Sequence, residues 1–182
     1  MAGPRDWVER LRRLGDQASE PEFRILFVCS GNICRSPTAE GVVRGLIRRA
    51  GLGSRILVES AGTHGYHAGE APDPRTQKAA LSRGYDLSGQ RARMVEAQDF
   101  QRFDLLLAMD EGHLECLLRR SPPVYQNKIR LFMSFSRKYP SHEVPDPYYG
   151  GPHGFERVLD MCEDAAEGLL AGLPAILAQR KP

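Results

Sequence analysis

The chain has 182 residues, a formal net charge of +2, and ordinary shares of apolar (41%) and charged (26%) residues. That size suits one compact domain with a sizeable core, and the balance excludes a disordered chain, a fibrous protein and a dedicated nucleic-acid binder. The basic residues are mostly arginines, whose planar donor forks suit anionic substrates. The four cysteines, Cys29, Cys34, Cys116 and Cys162, fit no zinc spacing and no dense disulfide framework, which points to a reduced, cytoplasmic setting. The charged N-terminal stretch has no apolar signal-peptide region, and no run is long enough for a membrane span.

Residues 1–21 stand apart as an N-terminal extension. Trp7, Val8, Leu11 and Leu14 share one helical face after Pro4, predicting a short amphipathic helix that docks on its own domain, followed by a linker from Gly15. From Arg24 onward strands and helices alternate. Ile25–Val28 is a continuous apolar run, as expected of a parallel strand covered on both faces. Pro37 to Ala50 has helical periodicity and closes at Gly51. Ile56–Glu59 is a second strand, leading into a loop over 60–74 rich in glycine, histidine and proline. Thr76 to Ser82 is helical and stops at Gly84. Phe103–Met109 reads as a third strand, Asp110 to Arg119 as a helix, and Lys128–Phe132 as a fourth strand. After the segment 144–152, Phe155, Val158, Leu159, Cys162, Ala165, Ala166 and Leu169 mark one face of a long helix that should end near Gly172–Pro174. This alternation predicts a doubly wound, three-layer α/β domain around a four-stranded parallel sheet, with its site at the carboxyl ends of the strands.

The chemistry gathers where the first strand ends. The segment reads Cys29-Ser30-Gly31-Asn32-Ile33-Cys34-Arg35-Ser36-Pro37. Gly31 and Asn32 are the residue types that most readily take positive φ, so the loop is expected to curl its amides inward as an anion nest. Pro37 suits the first turn of a helix whose N-terminus adds its dipole. A thiol at a helix N-terminus beside an arginine ionises readily and becomes a nucleophile. Ser36 is placed to donate to it, and the Arg35 fork to hold phosphoryl oxygens. Such a nucleophile needs a general acid for the leaving oxygen, which must come from elsewhere in the chain.

CSGNICRSP resembles the phosphate-binding loop of the low-molecular-weight protein tyrosine phosphatases in their bacterial form. That family's second signature is matched by Asp146-Pro147-Tyr148-Tyr149-Gly150, and the likeness runs from about Arg24 to Leu173. The resemblance implies a phosphatase domain over 22–182, with Cys29 as nucleophile, Arg35 as phosphate clamp and Asp146 as general acid. It implies phosphate binding by Ser30, Gly31, Asn32, Ile33, Cys34, Arg35 and Ser36, and aromatic walls from Tyr148 and Tyr149 opposite Tyr66 and His67. Ser60 and Gln90 match the family's hydrogen-bonding supports for Asn32, with glutamine where relatives carry histidine. Asp110 matches a carboxylate that pairs with the arginine, and a plain helix cap is an equal reading. Cys34 is close enough in the loop for a reversible disulfide with an oxidised Cys29. Cys116 and Cys162 read as core residues.

The implied partners are phosphotyrosine proteins, with a bacterial tyrosine kinase as a candidate among them, and inorganic phosphate as product. No cofactor, metal, nucleic acid or membrane insertion is expected, and the chain reads as a monomer or weak dimer. Three alternatives stay open. An arsenate reductase on this fold needs resolving cysteines that residues 60–110 lack. A protein arginine phosphatase carries threonine where Ile33 stands. An inactive phosphotyrosine-binding module would not need the catalytic residue types that are all present here.

Overall fold

The computed structural model describes residues 8–9 and 20–178. Most of the expected N-terminal helix and its linker lie outside the described residues. Val8, which is described, packs against the larger core.

In chain order the elements are β1 (Phe23–Cys29), α1 (Arg35–Arg49), β2 (Ile56–Gly62), α2 (Pro74–Ser82), α3 (Asp99–Arg102), β3 (Leu105–Ala108), α4 (Glu111–Arg120), β4 (Ile129–Leu131) and α5 (Pro152–Ala178). Two 3₁₀ turns, Pro123–Lys128 and Phe132–Phe135, flank β4. The four strands form one parallel sheet in the order β2-β1-β3-β4. The chain steps from β1 outward to β2, then returns to the other side of β1 as β3. That reversal opens a crevice at the carboxyl end of β1, where doubly wound sheets bind their ligands.

The alternating side chains of β1 divide two cores. Phe23, Ile25, Phe27 and Cys29 enter the larger core beneath α1, α2 and α5, while Leu26 and Val28 enter the smaller one beneath α3 and α4. A strand covered on both faces must be apolar at nearly every position, which is why β1 reads as a run rather than an alternation.

Against the sequence-based expectation β1 is longer at both ends and the third strand shorter at both ends, and three further boundaries differ. β2 extends to Gly62, because Ser60 and Ala61 pair with Phe27 and Val28. The 3₁₀ turn Phe132–Phe135 shortens the fourth strand to three residues. The last helix passes through Pro174 to Ala178 rather than ending there. One missing amide is tolerated, since Leu173 is fully buried and Ile176 and Leu177 pack on the larger core. Among the described residues no helix is long and apolar enough to cross a membrane.

Gly168 sits where α5 crosses the turn Phe132–Phe135. A Cβ there would stand 1.9 Å from the Phe135 carbonyl oxygen, so backbone would have to move. Gly168→Ala is therefore expected to lower stability by about 1–3 kcal/mol despite alanine's better helix propensity. Urea unfolding monitored by circular dichroism would measure it, and an unchanged midpoint would refute the close contact.

Candidate active site

The turn after β1 makes the site. Asn32 has φ 57°, while Gly31 does not adopt positive φ, contrary to the expectation that both would. Gly31 is needed for space instead: a Cβ would meet His67 Cδ2 at 2.9 Å. Asn32 is buried and all its side-chain polar atoms are engaged. Its Nδ2 donates to Ser36 Oγ and to Ser60 Oγ, each at 2.9 Å, and its Oδ1 accepts from the Arg93 amide at 3.0 Å. The carbonyls of Cys29, Ser30, Ile33 and Cys34 accept bonds from Thr63, His64, Asp73 and Thr38, so the turn commits its acceptors outward.

Cys29 ends β1 almost fully buried, with Ser36 Oγ 3.0 Å from its sulfur. Six residues on, Arg35 opens α1 and is also buried. Its Nη1 donates to Asp110 Oδ2 at 2.7 Å and to the Val144 carbonyl at 3.3 Å, while Nη2 donates to Asp146 Oδ2 at 3.2 Å. One guanidinium thus joins three loops, those following β1 and β3 and the one preceding α5. Asp110 fits both of its readings. It caps α4 by accepting from the His113 amide at 2.8 Å, and it pairs with Arg35. Burial works against its charge, but the bonds from His113 and Arg35 outweigh it and hold the carboxyl well below the usual range. Asp146 is half exposed, and its other oxygen accepts from the Tyr148 amide at 3.1 Å.

Cys29, Ser30, Gly31, Arg35 and Asp146 line a cleft of about 230 Å³ together with Ile33, Cys34, His64, His67, Tyr148 and Tyr149. Tyr148 and Tyr149 meet edge to face at 4.9 Å. Arg75 fixes that wall: it donates to the Tyr148 carbonyl at 3.0 Å and lies over the Tyr148 and Phe155 rings. The opposite wall differs from expectation. His67 lines it, held by Glu70 at 2.9 Å, but Tyr66 is 84% exposed and stacks outside against His64, which takes the lining position. Gln90 does not reach Asn32. It donates to the Pro37 carbonyl at 3.1 Å and so braces the first turn of α1.

Several participants carried no sequence signal. The Arg93 contact to Asn32 is made by a backbone amide, which any residue could supply. Glu40, buried in α1, accepts from Ser60 and is pushed upward from its ordinary pKa by burial, against the pull of Arg44 and Ser60. His113 is buried with Nε2 2.7 Å from Ser30 Oγ. Its position three residues after Asp110, on the first turn of a helix, is the one signal that could have pointed to it. Burial pushes the Cys34 thiol up to about 12, so it stays neutral beside Cys29. All four cysteines are free; Cys162 is buried as expected, while Cys116 is only half-buried. Among the described residues no group of three or more acidic, histidine or cysteine side chains could hold a metal.

Residues 24–179 match the family model described as low molecular weight phosphotyrosine protein phosphatase. A low molecular weight protein-tyrosine-phosphatase of Streptomyces coelicolor is 46% identical over 154 residues, covering 83% of this chain and 93% of that one. The human low molecular weight phosphotyrosine protein phosphatase is 41% identical over 149 residues, covering 80% and 92%. A crystal structure of a protein tyrosine phosphatase from Entamoeba histolytica superposes with a TM-score of 0.81 at 44% identity, covering 83% and 96%.

The lowered Asp110 carboxyl has a stability consequence. Stabilisation from such a group is present above its unfolded value of about 3.9 and is lost as pH falls through its folded value. Between about pH 5 and pH 2, wild-type protein should lose more stability than Asp110→Asn, as read by urea midpoints. Parallel pH curves for the two proteins would show that Asp110 is not held as described.

Proposed function

The chain belongs to the low molecular weight phosphotyrosine protein phosphatase family and is a phosphatase enzyme, and from that premise we propose that it hydrolyses phosphotyrosine through a phosphocysteine on Cys29. The observation that carries this reading is the 3.2 Å pair between Arg35 and Asp146. It brings the acid of one signature to the arginine of the other across 111 residues of sequence.

In the first step the Cys29 thiolate attacks phosphorus and the bond to the phenolic oxygen breaks. Asp146 gives its proton to that oxygen, which leaves as tyrosine. In the second step water attacks phosphorus, Asp146 takes its proton, and the sulfur–phosphorus bond breaks to return the thiolate and release inorganic phosphate. Ser36, 3.0 Å from the sulfur, stabilises the thiolate as leaving group. The amides of Ser30 to Ser36 receive the phosphoryl oxygens, an assignment supported by the outward carbonyls of this turn. Arg35 spends two of its donors on Asp110 and Val144, which hold it rigidly. Its Nη2 turns from Asp146 to the phosphoryl group as substrate enters, which frees the acid to meet the leaving oxygen.

Ile33, Tyr148 and Tyr149 give the tyrosine ring an apolar slot, and aromatic contacts of this kind contribute about 0.5–1.5 kcal/mol. An apolar Ile33 in the lining suits a phenol ester better than a guanidinium. His64 and His67 face that wall. The substrates on this reading are phosphotyrosine proteins, with a bacterial tyrosine kinase as the candidate partner. We take 22–182 as the phosphatase domain and 1–21 as an N-terminal extension, of which Val8 packs on the larger core.

Asp146→Asn tests the central step, because protonation matters in proportion to the basicity of the leaving oxygen. Turnover of phosphotyrosine and phenyl phosphate should fall about 10²–10⁴-fold. For p-nitrophenyl phosphate, whose leaving group departs unaided, the loss should be much smaller. Equal losses with an unchanged pH–rate profile would reduce Asp146 to a positioning group. Cys29→Ser should abolish turnover of every substrate while phosphate still binds, as read by calorimetry. Normal turnover by that variant would sink the covalent route.

A further inference from the structure

His113 is buried inside the site, yet none of the steps above uses it. Its ring spans two parts of the machinery. Nε2 lies 2.7 Å from the hydroxyl of Ser30, the residue directly after the nucleophile, and Ser30 lines the cleft. Nδ1 lies 2.9 Å from Asp110 Oδ1, within ion-pair reach but without hydrogen-bond alignment, and the companion oxygen holds Arg35 at 2.7 Å. The ring has little freedom to leave this position, since it is buried and bonded to Ser30.

Resting on the phosphatase reading, we propose that His113 is a positioning residue: it decides whether Ser30 presents a proton or a lone pair to the bound phosphoryl group. The carboxylate of Asp110 attracts the proton of the neutral ring to Nδ1. Nε2 is then an acceptor and takes the Ser30 O–H, leaving a serine lone pair toward the cleft. When the ring carries a second proton, Nε2–H donates to Ser30 Oγ. The hydroxyl proton is then free to bond a phosphoryl oxygen. A dianion selects the second arrangement, because it exchanges lone-pair repulsion for a charge-assisted donor. The added proton comes from solvent to Nε2, and no bond to phosphorus changes. Anion affinity and ring protonation are coupled, each strengthening the other.

The charged and titratable groups on the surrounding elements are Asp110 and Arg35 on the inner side, and Cys29 and His64 around Ser30. Glu143 and Arg120 sit at the two ends of α4, bonded to the Glu111 amide and to the Thr63 and Val95 carbonyls. Neither of these two is bonded to the ring, whose nearest partners are Ser30 and Asp110.

The test is inhibition of p-nitrophenyl phosphate hydrolysis by inorganic phosphate, using the full chain and comparing variants at equal pH so that phosphate's own titration cancels. His113→Ala should raise the phosphate Ki about tenfold near pH 5.5 and about twofold or less near pH 8. Ser30→Ala should give the same pattern, and the double variant should be no worse than either single one. His113→Gln, whose amide can donate to Ser30 at any pH, should restore affinity and flatten its pH dependence. A Ki ratio independent of pH, or single effects that multiply, would overturn the role of His113 while leaving the phosphatase reading intact. If His113→Ala does not fold, Ser30→Ala decides alone: an unchanged Ki at low pH refutes the coupling. Absence of hydrolysis by the wild-type chain would instead remove the phosphatase reading, and this inference with it.

Discussion

Everything at the catalytic edge depends on one backbone reversal, the left-handed turn at Asn32. An L-residue in that conformation costs about 1–2 kcal/mol. Here the same residue offsets the cost through three side-chain bonds, to Ser36, Ser60 and the Arg93 amide, each contributing about 0.5–1.5 kcal/mol. The turn is therefore held by bonds within the chain itself. It brings the sulfur of a strand-end residue and the guanidinium of a helix-start residue to the same small volume. It also turns Ser36 toward Cys29, because Asn32 fixes the hydroxyl oxygen of Ser36 from the other side.

A second layer of order comes from Arg35. Guanidinium groups are buried only when their charge is met, and here two carboxylates and a carbonyl meet it from two other loops. The central position of β1 makes this possible, since loops from both sides of the sheet's reversal reach the end of that strand. The sheet supplies the rigid base, and the loops supply the chemistry.

The fold was legible in the sequence because the central strands β1 and β3 are covered on both faces and the last helix on one. Both requirements leave plain apolar patterns, as in Ile25–Val28 and along Phe155–Leu169. The site was legible through Cys29, Arg35 and Asp146, whose side chains are chemically constrained and set in recognisable surroundings. What escaped is of another kind. The Arg93 amide is backbone, so no residue type marks it. Whether Tyr66 or His64 faces the cleft depends on the turn of a glycine-rich loop, which composition does not fix. The residue type of Gly31 suggests a conformational role, whereas it serves by making room for His67. Local propensity would end the last helix at Pro174, but packing of the residues beyond it carries the helix on to Ala178.

The parallel sheet also sets where the rest of the chain can go. β1 starts at Phe23 and ends at Cys29, six residues or about 20 Å further along. Leu177, near the end of α5, closes on Phe23, Leu52 and Ile56 at the starting edge of the sheet. Both flanks of the domain thus emerge on the face remote from catalysis. A linker joined directly at Glu22 or Ala178 would leave from behind the sheet like a handle, keeping the mouth of the cleft open to bulky phosphoproteins.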